Sequence, residues 1–79
     1  MKAMIVGKER KKGVSKASGN PYDNVMVHVT HKAMGVEGLA CETLFVKAAD
    51  VNPDRIIVGK YCEFDRNASG FLCNFEMVP

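Results

Sequence analysis

Between Tyr22 and His31 apolar and polar positions alternate strictly, with Val25, Val27 and Val29 on one side and Met26, His28 and Thr30 on the other. A period of two belongs to a β-strand with one buried face, and the valines are its inward set. Ala3 and Ile5, with Met4 and Val6 nearby, predict an earlier strand that ends near Gly7 or somewhat beyond it. From Lys11 to Asn20 there is no helical periodicity. Gly13, Ser15, Ser18, Gly19 and Asn20 punctuate the stretch, and SGNP is a turn signal because Pro21 fixes its own backbone angle. Gly35 and Gly38 bracket a loop. Leu39–Lys47 predicts a third strand with Leu44, Phe45 and Val46 as its apolar end.

The stretch 48–54 is the one place for a short helical turn, limited by Pro53 and flanked by Asp50 and Asp54, which most simply cap it. Ile56–Val58 is β-branched and reads as extended. Gly59 precedes a strand over Tyr61–Asp65, and RNASG (Arg66–Gly70) reads as a hairpin turn. In the last strand, Phe71–Val78, the positions Phe71, Cys73, Phe75 and Met77 form an apolar set, which predicts core positions for Phe71 and Phe75. Five short strands with one irregular link between the third and fourth predict an all-β chain. The pattern fits a five-stranded OB-like barrel, with an SH3-like barrel as the alternative that periodicity does not separate from it.

At 79 residues the chain is one domain, 1–79, with a thin core of the kind that pairing often stabilises. No apolar run approaches the ~18 residues of a membrane span, and the opening Met1–Val6 is too short for a secretory signal. These features predict a cytoplasmic protein with no membrane partner. Cys41, Cys62 and Cys73 are odd in number and widely spaced, which suits neither a disulfide framework nor zinc. His28 and His31, three apart on a strand, point to opposite faces. No cofactor or metal is expected, and no nucleophile–base spacing, phosphate loop or carboxylate pair suggests an enzyme.

The net charge is only +2, yet its distribution is uneven. Residues 1–16 carry six basic groups (Lys2, Lys8, Arg10, Lys11, Lys12 and Lys16) and one acid, while the remainder carries five basic groups and eight acids. A cationic projection on a weakly anionic body concentrates positive potential on one surface. Binding of single-stranded nucleic acid without sequence preference needs cations for the phosphates and flat rings for the bases. The segment from Lys8 to Tyr22 offers both.

The residues here resemble a known family. KKGVSKASGNPYDNVMVHV, from Lys11 to Val29, is similar to the DNA-binding hairpin of the filamentous-phage gene V proteins, the helix-destabilising proteins that coat single-stranded phage DNA. The likeness lies in Lys11, Gly13-Val14-Ser15, Lys16 and Gly19-Asn20-Pro21-Tyr22, and in an ending with Gly59-Lys60-Tyr61 and Val78-Pro79. The resemblance implies an OB-type fold with a protruding basic β-hairpin over Gly13–Val29. It also implies a homodimer, and cooperative, largely sequence-independent binding of single-stranded DNA in phage replication or packaging, within the bacterial host cytoplasm. By position Lys11, Lys16, Tyr22 and Lys47 match the family's DNA contacts. Asn74 and Glu76 stand where that family places arginines, and Glu42 where a tyrosine is expected. Phe71 is the nearest counterpart of an aromatic on the final turn. The candidate nucleic-acid-binding residues are therefore Lys8, Arg10, Lys11, Lys12, Lys16, Tyr22, Lys47, Arg66 and Phe71. Two other readings fit the charge pattern: a small β-barrel interaction or regulatory module that takes an acidic partner on the basic hairpin, and an RNA-binding OB domain.

Overall fold

A computed structural model describes residues 1–78; Pro79, the last residue of the ending noted above, lies outside the described residues. Five strands, β1 (Lys2–Val14), β2 (Pro21–His31), β3 (Ala40–Lys47), β4 (Tyr61–Arg66) and β5 (Leu72–Met77), form one antiparallel sheet. Their order is β3-β2-β1-β4-β5. Among the described residues there is no α-helix, and none is long and apolar enough to cross a membrane. The sheet is not closed. Its edges, β3 and β5, share no ladder but approach each other, and Val46, Val51, Leu72 and Phe75 help to line an open cavity of about 430 Å³ between them.

The core is the predicted valine row with its cross-strand partners. Val25 stands opposite Val46, and Val27 opposite Leu44. Ala3, Ile5, Val29, Ile56, Cys62 and Phe64 complete the buried cluster. Each Val, Leu or Ile removed from water here contributes roughly 1.5–3 kcal/mol, which a sheet of this size needs from nearly every inward position. Burial also pushes the Cys62 thiol up from its ordinary pKa.

Four features differ from the sequence expectation, each for a local reason. First, β1 does not stop near Gly7. It runs to Val14 because β2 pairs with it all the way, from Met4 opposite Thr30 to Val14 opposite Pro21. Second, Ile56–Val58 is not a strand. The Ile56 N–H donates to the Pro53 carbonyl, the Lys60 N–H donates to the Ile57 carbonyl, and the Ile56 carbonyl accepts from the Lys8 ammonium, so no ladder is left to form. Third, the 48–54 link contains turns and one 3-10 turn over Pro53–Arg55, capped by neither aspartate: the Asn52 side chain accepts the Asp54 N–H at 3.0 Å. Fourth, the inward set of β5 is Leu72, Phe75 and Met77. Asp65 opposes Asn74 and Arg66 opposes Leu72, so Cys73 is an extra, bulged residue and the alternation slips. Phe71 falls before the bulge and is 72% exposed rather than core.

Candidate nucleic-acid interface

A bulge decides which basic side chains of β1 meet solvent freely. Ile5 pairs with Val29 and Gly7 with His28, leaving Val6 without an opposite residue. Directly opposed residues of antiparallel strands project to the same face. Ala3 and Ile5 face the core before the bulge. After it Lys8, Arg10 and Lys12 share the inner side with Val27, Val25 and Asp23. A one-residue slip inverts every side chain that follows it.

The inner set is mostly engaged within the molecule. Lys8 Nζ donates to the carbonyls of Pro53 (2.9 Å) and Ile56 (2.7 Å) and so ties β1 to the link. Arg10 makes a two-pronged pair with Asp23, Nε–Oδ1 3.0 Å and Nη2–Oδ2 2.7 Å. That hydrogen bonding holds the Asp23 carboxyl below its ordinary pKa, and the charges of Arg10 and Lys12 add to the effect, so Asp23 stays anionic at the base of the basic segment.

The outer face carries the rest in rows across three strands. Gly13 opposes Tyr22. The next row is Lys11, Asn24 and Lys47, and the one after it is Glu9, Met26 and Phe45. Tyr22 is 44% exposed. Its ring lies against Gly13, where a Cβ would stand 2.8 Å from the hydroxyl oxygen and 3.0 Å from Cζ. Glycine thus leaves room for the ring to lie over β1. Lys11 Nζ is 3.9 Å from Glu9, a loose, solvent-exposed pair. Among the described residues Lys12, Lys16 and Lys47 have no ion-pair partner. Tyr22, Asn24 and Lys47, with Arg10 and Asp23, line an open depression of about 600 Å³.

The turn from Ser15 to Asn20 joins the two strands. The Ser15 N–H donates to the Asn20 carbonyl at 2.9 Å and the Gly19 N–H to the Ser15 carbonyl at 2.8 Å, with Gly19 at φ 73°. Such a φ suits glycine, which has no Cβ to clash. Lys16 sits exposed on this turn.

Arg66 and Phe71 lie away from this face. Arg66 Nε donates to Glu42 Oε1 at 3.1 Å, and its Nη1 donates to the Gly70 carbonyl at 3.0 Å. Glu42 also bonds His31 Nε2, while His31 Nδ1 bonds the Lys32 carbonyl at 3.0 Å. The Lys32 carbonyl and Glu42 together raise the His31 pKa. Burial pushes the Glu42 pKa up, but the hydrogen bonds from His31 and Arg66 and their charges outweigh it and leave it lowered. This cluster fastens β2 and β3 to the end of β4. Glu42 is therefore a structural anchor.

Of the nine residues singled out from sequence, Lys11, Lys12, Lys16, Tyr22 and Lys47 gather at one end of β1–β3 with solvent access. Lys8, Arg10 and Arg66 are held by internal partners. Phe71 is exposed on the β4–β5 turn. Sequence reading missed the outward side of β3, where Phe45 is 66% exposed between the buried Leu44 and Val46. Alternation about Leu44 and Val46 could have revealed it, had three apolar residues in a row not masked the period. Comparison with protein-family models, with curated proteins and with solved structures finds no match for this chain.

Proposed function

We propose that this protein binds single-stranded DNA, largely without sequence preference, on the basic end of β1 and β2. The observation that carries the reading is the Tyr22 ring laid over Gly13, one row from Lys11 and Lys47. Such a surface combines the two elements that sequence-tolerant binding requires. Lysines follow the phosphates, and a ring accepts any base because every base has a π-face. Here Lys11, Lys12, Lys16 and Lys47 take the phosphate role and Tyr22 the stacking role. Lys8 and Arg10 serve the scaffold first, and Arg66 and Phe71 lie apart from the path.

The finer picture follows from the gene V resemblance. In it the β1–β2 ribbon is a protruding basic hairpin on an OB-type barrel, two copies associate as a homodimer, and dimers coat a single strand cooperatively in phage replication or packaging in the host cytoplasm. A protein that takes single strands and refuses duplex lowers the melting temperature of duplex DNA by mass action, which is helix destabilisation.

The test is a titration with poly-dT and with duplex DNA at two salt concentrations. The expected result is binding of poly-dT that weakens with salt. Four phosphate contacts give a log–log slope of roughly −3, since each contributes about 0.7 on a single strand. Lys16→Ala should lower the slope by about 0.7 and Tyr22→Ala should weaken binding with the slope preserved. Salt-insensitive binding, or no binding to poly-dT, overturns the proposal. Tight binding of a polyacidic peptide with no binding of poly-dT would assign the same lysines to an acidic protein partner. Sedimentation showing a monomer at micromolar concentration would remove the cooperative dimer and leave simple binding.

A further inference from the structure

Phe45 is a large exposed ring whose position no core requirement explains. It projects from β3 to the outer face, opposite Met26, while its neighbours Leu44 and Val46 are buried. The outer face therefore has two rings, one on each side of the cation row. Tyr22 lies one row beyond Lys11, Asn24 and Lys47, and Phe45 one row before them and one strand across. Four residues of strand rise and one interstrand step separate the two backbone positions by about 14 Å. Met26, half-buried between β1 and β3 in the Phe45 row, supplies an apolar floor.

From this arrangement we infer that Phe45 is a second base-stacking residue, so that one single strand crosses the outer face from the Tyr22 ring over the Lys11–Lys47 row to the Phe45 ring. The inference rests on the reading of this face as a single-strand site. Its occupant is set by charge and shape together. Lys11 and Lys47 lie between the rings, so a ligand spanning both must be anionic in its middle and flat and apolar at its ends. A nucleotide strand meets that requirement through its phosphates and bases. Glu9, two strands away at the β1 end of the same row, disfavours a phosphate on that side of the row. Because the Tyr22 ring lies over β1 and Phe45 stands on β3, the path uses all three strands and does not stay on the β1–β2 ribbon.

The natural chain has no tryptophan, which allows a direct readout. In Phe45→Trp the new indole is the sole tryptophan, and saturating oligo-dT should quench and shift its emission. A base-free abasic oligonucleotide of equal length, which keeps the phosphates, should leave that emission unchanged. In Phe45→Ala and Phe45→Leu, affinity for oligo-dT should fall by about 5- to 150-fold, while binding of the abasic strand stays at the wild-type level. Leucine keeps apolar bulk without a ring and is the control for folding, checked by circular dichroism. Unchanged oligo-dT affinity in both variants overturns the inference, as does an equal loss on the abasic strand. In either case wild-type binding that remains salt-dependent preserves the functional reading. Wild-type protein that binds neither strand overturns both.

Discussion

The Tyr22 hydroxyl lies 2.8 Å from where a Cβ on Gly13 would sit. The two residues are direct cross-strand partners, and the ring occupies space that only a glycine leaves open. The Gly13 backbone has no positive φ, so its glycine is not required by backbone conformation. It is required by the ring.

Gly13→Ala therefore separates ring placement from folding. Alanine suits an extended strand at least as well as glycine, and the displaced atoms are the far end of a side chain that can swing away. The expected outcome is a melting temperature close to that of the parent and an oligo-dT affinity moved toward that of Tyr22→Ala. That variant itself should lose about 5- to 150-fold, one stacked base. Tyr22→Phe keeps the ring and should bind nearly as well as the parent. Full affinity in Gly13→Ala would show that the ring need not lie flat, and a large loss of stability would show that the contact serves the fold.

Asp23 restrains the basic segment it adjoins. It pairs through both oxygens with Arg10, and it is the one carboxylate facing Lys12 in the cross-strand register. Its depressed pKa means that the restraint holds throughout the neutral range and relaxes only in acid. Asp23→Asn should release Arg10 and remove a negative charge from the approach of phosphates. The expected result is a several-fold tighter oligo-dT complex at low salt, with the salt slope steeper by about 0.7 if Arg10 joins the contacts. Isothermal titration at three salt concentrations checks this. Weaker binding in Asp23→Asn would mean that the Arg10 pair holds the ribbon in its binding shape.

Much of the scaffold is legible in the sequence, because a strand with one buried face writes its period into the chain. Val25, Val27 and Val29 need only alternation to be placed. The bulges at Val6 and Cys73 carry no such mark. Each inserts a single residue whose cost or benefit depends on the partner strand, and each inverts the faces beyond it. For that reason Lys8 and Arg10, adjacent in composition to Lys11, become internal ties while Lys11 stays outside. The pairing of Arg66 with Glu42 joins residues 24 positions apart and appears only once β3 and β4 are in place. Three apolar residues in a row hide the outward position of Phe45, and the Cys73 bulge interrupts the alternation that would bury Phe71.

The His31–Glu42–Arg66 cluster gives the fold a pH dependence of definite sign. His31 has a folded pKa above its ordinary value, so its contribution is fully present below about 6.5 and is lost as pH rises through the folded value. Glu42 has a folded pKa below its ordinary value, so its contribution is present above about 4.5 and is lost as pH falls through that lowered value. The two windows overlap in weak acid, where both partners are charged and the cluster stabilises most. His31→Gln keeps a hydrogen-bonding side chain but not the titratable charge. It should cost on the order of 1 kcal/mol near pH 6, a charge-assisted bond discounted for the partial exposure of Glu42, and less near pH 8. Arg66→Gln should weaken the fold at both pH values, because guanidinium remains charged throughout. Urea melts of the three proteins at pH 5, 6 and 8 measure this directly. A difference between parent and His31→Gln that grows from pH 6 to pH 8 would reverse the sign and place the buried neutral imidazole, rather than the charged pair, at the centre of the cluster.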